Sequence, residues 1–338
     1  LFTGTSFSAG EDAPVVDSPR IGPAHAPGRY YTVLGDRDRH SLDGRWRFRL
    51  DREQCGEEEG WFTRTLEGRF SSVPGAWQYV FDDLHETTGV GWYQRDFELD
   101  AQLRGRRIAV VFMGVNYRAR VWVNGQLAGS HEGGQLPFSL EITHLVRWDR
   151  PNQLTVRAED PATQLDLPVG PAYVEMHRAS GIWRSVWLET TPKTFVSDVY
   201  VTPDVDHQRV HVQVTVNAPP RQQVQPAMLR LVARRPDGRL HELRHQVRLP
   251  AHPVAHAVTV DMTLAVEEPW LWTPQTPHLY VMNVELSGAA APRDTASLHF
   301  GMRKIDLLGT KIRLNNRPIF LRGVNDWQDT PDKNQYLS

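Results

Sequence analysis

The chain has 338 residues, 40% of them hydrophobic and 23% charged, with a formal net charge of −2. That is ordinary globular composition, enough for two or three domains of about 100–200 residues each. The near-neutral balance argues against nucleic acid or an anionic membrane surface as a partner. A single cysteine, Cys55, excludes an intramolecular disulfide. It sits in REQCGEEEG with no histidine beside it to act as base, so it is not read as a nucleophile. No apolar run reaches the roughly 18 residues of a membrane span.

In chain order, residues 1–29 are rich in Gly, Pro, Ala and Ser and read as a flexible arm or the remnant of a leader. Both a cytoplasmic and a secreted location stay open. Residues 30–190 then show short runs of period-two alternation, the signature of half-buried strands. Trp77 in SVPGAWQ is expected to pack after a proline turn. Arg104, Arg106 and Arg107 precede the apolar run IAVVFMGV and read as a solvated turn. In RARVWVNGQLAG, Ala119, Val121 and Val123 share a face, and Asn124-Gly125 supplies the pair that a tight hairpin turn with two positive φ angles needs. His131 and Glu132, adjacent on a strand, point to opposite faces and do not share a metal. Phe138, Leu140 and Ile142 line up, as do Leu154, Val156 and Ala158, and Ile182, Val186 and Leu188 opposite Trp183 and Trp187. The long loops and many strands suit a jelly-roll β-sandwich.

Residues 191–300 carry about seven strand-like runs, the count of an immunoglobulin-like β-sandwich. Val210, Val212, Val214 and Val216 alternate strictly, and Pro236-Asp237-Gly238 is a turn. Trp270 and Trp272 flank Leu271 at an expected domain edge. From residue 301 the pattern changes: a strand, a hairpin through Asn315-Asn316, then IFLRGV, read as a buried strand, and a polar unpatterned tail to 338. The expected fold class is therefore all-β. Zinc spacings, Walker loops and nucleophile elbows are absent, so no metal and no cofactor is expected.

Four stretches in order resemble glycoside hydrolase family 2, the group of β-galactosidases, β-glucuronidases and β-mannosidases. They are FMGVNYRARVWVNGQLAGSHEGGQLPFSLEIT, then NQLTVRAEDP with ASGIWRSVWLE, then PWLWTPQTPHLYVMNVEL, then FGMRKIDLLGTKIRLNNRPIFLRGVN. The resemblance implies a sugar-binding-type first domain, an immunoglobulin-like second domain and, at 301–338, the lead-in and first strand of a truncated catalytic (β/α)8 barrel. It also implies retaining chemistry, in which an acid Glu and a nucleophilic Glu lie about 5 Å apart. In the family the acid follows an Asn. This sequence has no Asn-Glu dipeptide, and a barrel needs roughly 250 residues, so both catalytic Glu are expected to be missing. Where many members carry a His-containing stretch, this sequence has Asp326-Trp327-Gln328-Asp329, a departure that puts the end of the match in doubt.

Two loops match positions where the family's first domain reaches its sugar. One is HETTGVGWYQRDF, with Glu86, Thr87 and Thr88; the other is VGPAYVEMHRASGIW, with Glu175, His177 and Trp183. Carboxylates and hydroxyls grip sugar hydroxyls and aromatic faces stack on C–H patches. Each has a plainer reading: Glu175 pairs with Arg178, and Trp122, Trp183 and Trp187 pack the sandwich. The expected partners are a carbohydrate, a missing or separate catalytic barrel and, where apolar surface is left bare, other copies of the chain. A stand-alone carbohydrate-binding module is the alternative, and it requires an exposed tryptophan face.

Overall fold

The computed structural model describes residues 29–30, 34–35, 37–160, 179–220, 223–252, 254, 256–288 and 291–324. The first part is built from β1 (Arg29–Tyr30), β2 (Asp38–Ser41), β3 (Gly44–Asp51), β4 (Arg69–Val73), β5 (Gly89–Phe97), β6 (Arg107–Phe112), β7 (Arg118–Val123), β8 (Gln126–Glu132), β9 (Phe138–Glu141), β10 (Asn152–Asp160) and β11 (Val186–Thr191). They form a five-stranded sheet, β1-β9-β6-β11-β2, facing a six-stranded sheet, β4-β3-β5-β10-β7-β8. The one α-helix among the described residues, α1 (Trp77–Val80), is a single turn between β4 and β5.

Local chemistry selects these elements. Asn124 and Gly125 take φ of 54° and 81°, the positive pair that closes β7 onto β8. The alternating sets named above within residues 30–190 all lie in one buried cluster with Trp46, Phe48 and Trp77. The run Ile108–Phe112 is buried throughout, so β6 is covered on both faces. Arg107, at the head of β6, is not in a solvated turn. It pairs with Glu141 at 3.1 Å and stacks on Phe195 at 4.4 Å. Sequence spacing could not show that the strand begins at the arginine.

A second, smaller core covers the outer face of the six-stranded sheet. The excursion after β3 folds Trp61 and Leu66 over Val90, Trp92 and Trp122. Asp51 anchors it, accepting from Trp92 Nε1 at 2.9 Å and from the Cys55 and Gly56 amides at 3.0 Å. Partial burial and the carboxylates of Glu59 and Asp51 push the Cys55 thiol up, which disfavours the thiolate.

The second sandwich contains β12 (Phe195–Asp204), β13 (Arg209–Ala218), β14 (Gln225–Arg234), β15 (Leu240–Leu249), β16 (His256–Ala265), β17 (Tyr280–Gly288) and β18 (Ala291–Phe300). Sheet β12-β13-β16 packs on sheet β15-β14-β17-β18. Every ladder in both sandwiches is antiparallel. The four alternating valines of β13 are fully buried at its centre. Leu34, Gly35 and Arg37 strap the two sandwiches together. Leu34 is in the second core, the Gly35 amide donates to the Ser297 carbonyl at 2.7 Å, and Arg37 pairs with Asp294 just before the chain enters β2.

A three-stranded sheet follows: β19 (Ile305–Leu308), β20 (Lys311–Leu314) and β21 (Arg317–Pro318). The expected hairpin turns through Asn315 and Asn316, which take positive φ, and Asn316 donates to Asp206 at 2.8 Å, tying the hairpin to the second sandwich. The expected buried strand IFLRGV is not there. Residues 319–324 are irregular, with Phe320 82% and Val324 94% exposed. A strand needs hydrogen-bonding neighbours, and among the described residues only the first residue finds one: the Ile319 amide donates to the Ile312 carbonyl at 3.0 Å.

Candidate functional site

One end of the first sandwich gathers the first of the two stretches singled out in the sequence and the described end, residues 179–183, of the second. The turn 85–88 leads into β5, whose first residue Gly89 pairs with Asp160, the last of β10. The chain returns at Ser180 and Gly181 beside them. Gly181 has φ 92° and pairs with Asn116 through hydrogen bonds of 2.9 and 3.2 Å. A Cβ there would collide with the Tyr93 hydroxyl, so this crossing requires glycine.

Buried polar groups hold these pieces together. Gln78, on α1, accepts from the Ser180 amide at 3.1 Å and donates to the Thr87 carbonyl at 3.0 Å and to the Ser180 hydroxyl. The Ser180 hydroxyl in turn donates to Asp160. Trp77 Nε1 reaches the same Thr87 carbonyl at 2.7 Å, and the Trp77 amide donates to the Ser180 carbonyl at 3.2 Å. Gln78, Asp160 and Ser180 are all buried. Such groups are retained in a core only when their hydrogen bonds are made.

The predicted residues fall in three kinds of place. Glu86 has a side chain 92% exposed, 3.9 Å from His85, and is open to a ligand. Thr87 and Thr88 are half-buried on the same turn. Trp183 is only 4% exposed: its indole N–H donates to the Gly134 carbonyl at 2.9 Å and Arg184 stacks on its ring at 4.4 Å, so it packs this end of the sandwich. Glu175 and His177 lie outside the described residues. Gln78 and Ser180 were not anticipated. The only local hint was a polar residue directly after Trp77, which many surface positions also show.

Nearby, His131 is buried against Phe138 with ring centroids 4.1 Å apart, and burial holds its imidazole below the ordinary histidine value. Among the described residues no group of three or more His, Cys, Asp or Glu side chains could hold a metal. Among the described residues of the first sandwich there is no exposed tryptophan face of the kind a stand-alone binding module requires: Trp46, Trp61, Trp77, Trp92, Trp122 and Trp183 are buried, and Trp148 and Trp187 half-buried. A separate cleft of about 530 Å³ lies between the sandwiches, lined in part by Arg107, Glu141, Lys193 and Asn217.

Comparison with known proteins follows the same division. The family model "Glycosyl hydrolases family 2, sugar binding domain" matches residues 39–192, and "Glycosyl hydrolases family 2" matches 194–303. The chain belongs to glycosyl hydrolase family 2. Among family 2 relatives, a β-galactosidase of Pseudoalteromonas haloplanktis is 25% identical over 93% of this chain and 33% of its own length. A β-glucuronidase of Rattus norvegicus is 26% identical over 86% of this chain and 48% of its own. The structure of a β-glucuronidase from Ruminococcus gnavus in complex with D-glucuronic acid superposes with a TM-score of 0.71, at 26% identity, over 87% of this chain and 51% of that one. The chain thus spans about half or less of these relatives. No helix among the described residues is long and apolar enough to cross a membrane.

Proposed function

We propose that this chain is the non-catalytic N-terminal portion of a retaining, β-galactosidase-like or β-glucuronidase-like glycosidase acting on O-glycosidic bonds. The end of the first sandwich that carries Glu86 and Thr88 faces the sugar. The Glu pair that performs the chemistry belongs to a barrel that docks on the tail. The observation that carries this reading is the succession of two family 2 models over residues 39–192 and 194–303, in a chain covering only 33–51% of the relatives named above. Two further facts support it. The sequence has no Asn-Glu dipeptide to supply the family's acid. Ile305, Leu307, Leu308, Phe320, Leu321 and Val324 are all more than half exposed, an apolar surface of the kind that marks a docking site.

The test is turnover of nitrophenyl galactoside, glucuronide, mannoside and arabinoside by the 338-residue chain, purified from a host lacking those activities. No turnover is expected. Turnover that survives repeated purification would overturn the assignment of the chemistry to a separate barrel.

A further inference from the structure

We infer that Gln78 is a positioning residue that couples the Thr87 turn to the Ser180–Gly181 crossing, so that neither side of the proposed sugar-facing end can move without the other. The inference rests on the reading that this end faces the sugar, and it deepens that reading by naming what sets the site's geometry.

The argument begins with the amide itself. The Ser180 amide can only donate, so Gln78 Oε1 must lie towards it at 3.1 Å. The Thr87 carbonyl can only accept, so Nε2 must lie towards it at 3.0 Å. A flipped amide would leave both contacts with like facing like. The second Nε2 proton goes to the Ser180 hydroxyl, whose own proton goes to Asp160. The donors therefore run one way, from α1 through Ser180 to the end of β10, an arrangement in which each bond polarises the next. Gln78 and Ser180 are 102 residues apart in sequence, yet this one carboxamide touches both the turn before β5 and the return crossing. Trp77, its neighbour on the same helical turn, repeats the double grip through its indole and its backbone amide. The Thr87 carbonyl thus takes two donors from one rigid element, which fixes where Glu86 and Thr88 are presented.

Gln94 provides an internal control. It is also a buried glutamine of the first sandwich, on β5, and it pins a different loop, accepting from the Leu66 amide at 2.8 Å and donating to the Arg64 carbonyl at 2.9 Å.

Hydrogen exchange read by mass spectrometry on the full chain tests the coupling without any sugar present, so its outcome is independent of the glycoside assays. Ser180→Ala removes only a hydroxyl and does not touch residues 85–89. It is nevertheless expected to speed amide exchange at 85–89 about tenfold, the effect of weakening one buried hydrogen bond. Gln78→Met should do the same, and adding Ser180→Ala to it should change 85–89 no further. Gln94→Met should loosen 64–66 and leave 85–89 alone. Unchanged protection across β6 and β7, in the core of the first sandwich, reports that each variant is folded. An effect of Ser180→Ala confined to 179–183, or a double variant whose effects simply add at 85–89, would overturn the coupling.

Discussion

The first sandwich buries Trp46, Trp77 and Trp92 together with Asp51, Gln78, Gln94, Asn152 and Asp160, whereas the centre of the second is aliphatic, built on Val210, Val212, Val214, Val216, Leu229 and Leu231. A buried amide or carboxylate is tolerated only with its partners in place, so each such group restricts the loop it holds. Gln78 holds the Thr87 turn, Gln94 holds Leu66, and Asn152 holds Arg147 through both atoms of its amide. The second sandwich makes most of its polar pairings on the surface, as in the bidentate Arg230–Glu242 pair at 2.9 Å. The comparison teaches that the first sandwich fixes its loops through buried polar groups, whereas the second keeps most of its polar pairs at the surface. Asp294, Arg235 and His241 are buried exceptions in the second, and Asp294 binds Arg37 of the strap.

The strongest way to break this comparison is Trp77→Ala. It should cost about 3–5 kcal/mol, as removal of a buried indole typically does, and should also free the Thr87 carbonyl from one donor. Urea unfolding gives the first number, and faster exchange at 85–89 shows the second.

Next comes the strap. Arg37 and Asp294 have side chains 4% exposed, and burial pushes the Asp294 carboxyl up even with the guanidinium beside it. Such a pair specifies geometry more than it stabilises. Asp294→Leu alone should cost about 3 kcal/mol, because it strands a buried cation, and Arg37→Met with Asp294→Leu should recover most of that loss. Failure of the double variant to recover stability in urea would mean the pair stabilises outright.

His131 sharpens the contrast through pH. Its folded value lies below the ordinary one because burial disfavours the imidazolium. Below the unfolded value of about 6.5 the unfolded chain binds the extra proton first, so the stability present above that pH is lost as pH falls towards the folded value. Melting temperature against pH should therefore drop on the acid side, and His131→Phe, which keeps the stack on Phe138, should flatten the drop.

The smallest effect is expected at the surface. Arg47 and Asp96 pair at 2.9 Å but are 30% and 47% exposed, so Asp96→Asn should change stability by no more than about 1 kcal/mol. A larger change in the same urea assay would show that this exposed pair takes part in holding the sheet.

The sequence by itself determined the all-β class, the strand faces and the tight turns. Alternation and the Asn124-Gly125 and Asn315-Asn316 turns are local properties, set by side-chain direction and by which residues accept positive φ. It also carried the family, since four ordered stretches suffice for that. Only the tertiary structure decided that the tryptophans are packing elements, that residues 319–324 form no strand, and that Gln78 rather than Trp183 organises the loop end. The physical reason is distance along the chain. The partners that satisfy a buried polar group lie 102 residues away for Gln78 and 257 for Arg37, and no local pattern records which of the many polar residues in the sequence will meet.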